Sequence, residues 1–117
     1  MSSNALFVGW NRPVPGRERM AAEDFSAFSS YLTGLQQKGA IQSFDCVLLQ
    51  PHGGDLNGFF VIRGDPRQLD DVVRSREWTT YLIRAPIHLD GVGVIRALTG
   101  DLVQERMTAW VGMLPSQ

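Results

Sequence analysis

The chain has 117 residues, with eleven basic and twelve acidic side chains and a formal net charge of −1 at pH 7. That balance gives no electrostatic reason for binding nucleic acid or an anionic membrane, and no apolar run is long enough to span a bilayer. The length and a hydrophobic fraction of 44% suit one α+β domain over residues 1–117. The single cysteine, Cys46, has no internal disulfide partner and lies in the apolar run Cys46-Val47-Leu48-Leu49, where a free thiol behaves as a small hydrophobe. Met1-Ser2-Ser3-Asn4 lacks a basic n-region, so the expectation is a cytoplasmic protein.

In chain order, Ala5 to Trp10 is short and apolar and reads as a first strand, closed by Asn11-Arg12-Pro13. From about Ala22, Phe25, Phe28, Leu32 and Leu35 recur at helical spacing, with Gly39 as a stop. Ile41 to Gln50 is a second strand, and Gly58 to Gly64 a third that is apolar on both faces. Asp65-Pro66 with Gln68 three residues after the aspartate forms a capping box that opens a helix. Ser75 caps a second segment carrying Trp78, Leu82 and Ala85, which Pro86 should end near Ala85. Gly91 to Ala97 is a fourth strand. A last helix follows, with Asp101 as its N-cap and an apolar face of Val103, Met107, Trp110, Val111 and Leu114.

The order βαββαβ plus a C-terminal helix is the ferredoxin-like pattern, an antiparallel four-stranded sheet with strands one and three central. Both main helices then cover one sheet face and leave the other open. Aligning Phe7-Val8 with Phe60-Val61 as half-repeats assigns Leu6, Val8 and Trp10 to the open face, with Phe59, Val61 and Arg63, and with Val92, Val94 and Arg96. Phe60, Ile62, Gly93, Ile95 and Ala97 fall to the helix side. An apolar face of that size is one a monomer avoids, so the expected assembly is a homodimer.

The βαββαβ order from about Leu6 to Leu98, with the helix break Ser75-Arg76-Glu77-Trp78, resembles the dimeric α+β barrel superfamily. That superfamily includes antibiotic-biosynthesis monooxygenases, EthD-like and YCII-like proteins, haem-degrading enzymes and stress-response barrels. The resemblance implies two facing sheets and a ligand cavity beside the open face. Haem-degrading members use an Asn, a Trp and a helix His, for which this chain offers Asn11, Trp78 and His88, the last beyond Pro86. YCII-like members carry an early His–Asp pair, whereas the first histidine here is His52.

The ligand candidates are Trp10, Arg63, Trp78, Tyr81 and Arg96. Arg63 and Arg96 are expected at the same end of the open face, two strand spacings or about 10 Å apart. There they could grip a carboxylate or phosphate, or each could pair with an acid. His52, beside Gly53-Gly54, is the catalytic candidate for proton transfer, against the alternative of a solvated loop histidine. The two histidines have no metal-ligand spacing, so neither a metal nor a cofactor is expected. The functional expectation is a homodimer holding a small organic, possibly anionic, molecule at the open sheet face. A cofactor-independent monooxygenase or isomerase and a structural or regulatory barrel without ligand are the alternatives.

Overall fold

The computed structural model describes residues 3–116; Met1 and Ser2, read above for a targeting signal, and Gln117 lie outside them. Among the described residues the elements are β1 (Ala5–Trp10), α1 (Glu18–Gln37), β2 (Ser43–Leu48), β3 (Gly58–Arg63), α2 (Pro66–Arg74), α3 (Arg76–His88), β4 (Gly93–Ala97) and α4 (Asp101–Gly112). The strands form one antiparallel sheet in the order β2-β3-β1-β4. This is the ferredoxin-like α+β arrangement expected from the element order.

Local chemistry explains most boundaries. Asp65 accepts from Gln68 N–H at 2.8 Å while Gln68 Oε1 accepts from Asp65 N–H at 2.9 Å, which completes the capping box of α2. Ser75 Oγ accepts from Trp78 N–H at 3.3 Å and caps α3. Strands β2 and β4 are shorter than expected, and three helix boundaries also differ. Helix α1 begins at Glu18, a turn before Ala22, without a side-chain cap. Helix α3 runs through Pro86 to His88: so near the end of the helix the proline forfeits a single N–H, and the last turn is still closed by Leu89 N–H donating to Ala85 O at 2.9 Å. At α4 the capping position is Gly100, with φ of 59°, a conformation natural to glycine; Asp101 is the first helical residue instead.

Register decides the faces. Residues directly opposite in a ladder share a face, and β1 pairs Leu6 with Ile62 and Arg96, and Val8 with Phe60 and Val94. Leu6, Val8 and Trp10 are therefore on the helix side, not the open side, and so are Val94 and Arg96. The open face instead carries Phe7, Phe59, Val61, Arg63 and Ile95. The half-repeat alignment is off by one residue in β1 and the separate assignment of β4 is off by one as well, and a one-residue shift exchanges every side chain between faces.

The core lies between the helix side of the sheet and helices α1 to α3. Leu6, Leu32, Ile62, Leu69 and Trp78 are all fully buried there, and each such side chain contributes about 1.5–3 kcal/mol. Arg96 Nη1 meets Asp70 Oδ1 at 2.8 Å and ties β4 to α2. Behind α3, Val14 N–H donates to His88 O and Asp90 N–H to Arg12 O, at 2.9 and 2.8 Å. This short ladder fixes the backbone at His88.

Helix α4 stands apart. The chain just before it is tethered where Asn4 Nδ2 donates to Thr99 O at 3.0 Å and Thr99 N–H to Asn4 Oδ1 at 2.8 Å, but no residue of the helix is buried. The Cα radius of gyration, 16.3 Å, exceeds the roughly 13–14 Å of a compact chain this long.

Candidate functional site

A cavity of about 290 Å³ opens between the helix side of the sheet and helices α1 and α3. The sheet contributes Val8, Trp10 and Phe60, and the helices contribute Phe28, Tyr81 and Ala85. Gly58, opposite Trp10, helps to shape this wall, since a Cβ there would lie 2.7 Å from Trp10 Cζ2. Phe25 packs edge-on to Trp10, with ring centroids 6.1 Å apart. At 37% exposure it sits at the surface, off the buried stripe expected for it.

The wall contains one buried polar pair. Asp24 and His88 are 5% and 2% exposed. His88 Nε2 donates to Asp24 Oδ2 at 2.8 Å, joining α3 to α1. Arg84 Nη2 lies 3.0 Å from Asp24 Oδ1, within ion-pair range but off the line of a hydrogen bond, since Oδ1 has no hydrogen-bond partner. That half-exposed guanidinium supplies the countercharge a buried carboxylate needs. In the neutral ring the proton lies on Nε2, facing the carboxylate, and Nδ1 keeps a lone pair that is buried without a partner. An imidazole oriented by a carboxylate can accept a hydrogen bond or a proton at its other nitrogen.

The predicted site residues divide between several places. Trp10 and Tyr81 line the cavity, although Tyr81 Oη donates to Ala27 O at 3.3 Å. Trp78 is fully buried in the core, centroid 5.8 Å from Phe28, and is not part of the cavity wall. Arg63 and Arg96 do not converge: they occupy opposite faces, and each already has a carboxylate. Arg63 Nη1 meets Asp45 Oδ2 at 2.6 Å, and Arg96 meets Asp70. The residues lining the cavity include Glu18 and Asp24 and no arginine, so the lining supplies no cation to grip an anion.

His52 lies in a separate, polar depression with Arg12 and Asp55. Its Nε2 donates to Leu56 O at 2.8 Å and its Nδ1 accepts from Gly54 N–H at 3.2 Å. Both nitrogens thus hold the loop's own backbone, which leaves no free lone pair for chemistry. Among the described residues no group of three or more His, Cys, Asp or Glu side chains could hold a metal ion. No helix there is long and apolar enough to cross a membrane.

Asp24 and His88 were missed as a pair. The signal for Asp24 is its position in Ala21, Asp24, Phe28, Leu32 and Leu35, the buried stripe of α1. For His88 it is the continuation of Tyr81 and Ala85 at helical spacing across Pro86.

No protein-family model matches the sequence, and comparison with curated proteins gives no match. Among solved structures the chain is similar to a dimeric protein of unknown function and ferredoxin-like fold from Bacteroides fragilis NCTC 9343. The TM-score is 0.56 at 11% identity, covering 81% of this chain and 95% of that one. The likeness supports the ferredoxin-like fold, while none of the barrel subfamilies named above gains support.

Proposed function

We propose that this chain is a homodimeric binding protein whose ligand is a small, mostly apolar organic molecule held in the cavity between the sheet and helices α1 and α3. The cavity carries this reading: it has aromatic walls, a single buried polar pair, and a volume that its own side chains leave unfilled. Its 290 Å³ lies near the lower end of small-molecule sites, about 300–1,000 Å³, which suits one or two rings. This replaces both the open face as the binding surface and the anion as the ligand.

The dimer rests on the opposite side of the sheet. Phe7 and Phe59 stack there with centroids 5.0 Å apart, and Ile95 is 60% exposed. Helix α4 offers a second uncovered apolar surface, with Trp110 53% and Val111 57% exposed. Surfaces of this kind mark association sites, and the structurally similar protein is itself described as dimeric.

The ligand test is a fluorescence titration with 2-naphthol, a two-ring probe with one polar group. Saturable binding to the unaltered protein, abolished by Ala85→Phe, is expected, because the added ring occupies the cavity. Equal affinity in Ala85→Phe, or no binding, contradicts this site.

A further inference from the structure

We infer that α4 is an exchanged arm: in the dimer it lies across the bare sheet face of a second copy of this chain, whose own α4 covers the first sheet in return. This rests on the homodimer proposed above and names the two surfaces that meet.

Val103, Met107, Trp110, Val111 and Leu114 are all exposed. At helical spacing they fall in one stripe, with Gln104, Glu105 and Thr108 on the opposite side. A short helix owes most of its stability to an apolar surface packed against such a stripe, and within its own chain α4 has none. The accessible area agrees. The chain exposes 7765 Å², about 1,400 Å² more than the roughly 6,300 Å² of a compact monomer of 13.0 kDa. Covering that excess on both copies removes about 2,800 Å², which is within the range of obligate homodimers and well above a casual contact.

The bare face matches the helix in size and chemistry. Helix α4 is about 18 Å long, and the six residues of β3 extend about 20 Å. Phe7, Phe59, Val61 and Ile95 form the apolar centre of the face, and the Arg63–Asp45 pair forms a polar border at one corner. Next to Ile95 on this face, Gly93 has nothing within 4 Å of where a Cβ would be, so the surface is lower there and accepts a bulky ring such as Trp110. The junction favours exchange over closure within one chain. Asn4 clamps Thr99 through three hydrogen bonds, the third from Thr99 Oγ1 to Asn4 Oδ1 at 3.2 Å. Only Gly100 separates this clamp from the first helical residue, and β4, from which the helix departs, is an edge strand. Folding α4 back over its own sheet would require Gly100 to leave its φ of 59° or the clamp to open. When two copies exchange arms, each contact occurs twice about a two-fold axis, so the assembly closes at a dimer.

The test mixes full-length chains labelled with carbon-13 in their methyl groups with an equal amount of unlabelled chains. Filtered NOE spectra of the mixture separate contacts between copies from contacts within one. The expected result is contact between copies, from the Trp110 indole to the methyl groups of Val61 or Ile95. Independently, Trp110→Ser should raise the Kd of the dimer about tenfold or more, as expected for a central tryptophan, in a dilution series read by light scattering. The same NOE contacts within one copy overturn the exchange in favour of closure in cis. Contacts between copies that join sheet to sheet or α4 to α4 overturn the exchange and leave the dimer standing, as does an unchanged Kd in Trp110→Ser. A chain that stays monomeric at the concentration of the NMR sample refutes the dimer and the inference with it.

Discussion

The two sides of the sheet are built from the same residue types and end in opposite conditions. On the helix side, Leu6, Val8, Phe60 and Ile62 are buried under the chain's own helices, and the space left over is a cavity with a polar pair in its wall. On the other side, Phe7, Phe59, Val61 and Ile95 have no helix over them, and α4, which could have supplied one, projects away. A sheet face covered in cis can afford a pocket, because the surrounding core holds the pocket walls in place. A face left bare is suited to a flat partner.

The largest effect that separates the sides belongs to Trp78. Trp78→Ala should cost about 3–5 kcal/mol, read as a lower urea midpoint, since the side chain is fully buried against Phe28. A loss below 1 kcal/mol would mean that the helix side is less tightly packed than its burial indicates. Next comes Ile95→Asp on the open side. It should leave the fold intact and weaken dimerisation by about 2 kcal/mol, roughly thirtyfold in Kd, as measured by light scattering across a dilution series. If Ile95→Asp changes folding but not mass, that face is not the interface.

The two arginines test the comparison at smaller scale. Arg63 and Asp45 are 38% and 64% exposed, and Arg96 and Asp70 are 43% and 42% exposed. Exposed pairs of this kind contribute about 0–1 kcal/mol, so Arg96→Met should shift stability by no more than that. Neither Arg63→Met nor Arg96→Met should alter 2-naphthol binding. A marked loss of affinity in either variant would bring the arginines back to the site.

These outcomes show what the residues alone could reveal. The capping box of α2, the Ser75 cap of α3 and the element order were legible because they depend on neighbours three or four positions apart, whereas the expected Asp101 cap of α4 gave way to Gly100. Face assignment was not, since β1 and β3 are apolar at nearly every position and offer no alternation to fix their parity; only the pairing of Val8 with Phe60 and Val94 does so. Two of the proposed cavity residues, Trp10 and Tyr81, were visible as aromatics. The polar pair was hidden for two separate reasons. Asp24 is a charged residue in an apolar stripe, and Pro86 suggested a helix end that the last turn of α3 does not observe.

The smallest predicted effect concerns Tyr31, whose hydroxyl lies 3.5 Å from Ser75 Oγ beneath the junction of α2 and α3. Burial raises its pKa above the ordinary value of 10.0, so the folded state holds the phenol proton more tightly than the unfolded chain does. Its contribution is complete below pH 10 and is lost as pH rises through the folded-state pKa. Tyr31→Phe should therefore flatten part of the alkaline decline in stability, as read by denaturant titrations on either side of pH 10. An unchanged decline would place Tyr31 in a more open setting than the helix side provides.

The claim that the helix side holds the ligand and the open side meets a partner is tested most directly by one isotope-filtered NOE spectrum of 2-naphthol bound to labelled protein. The account predicts contacts from the naphthol ring to the methyl groups of Ala21, Leu82 and Ala85, which line the cavity. Contacts to the methyl groups of Val47, Val61 and Ile95 on the bare face, with none to Ala85, would contradict it.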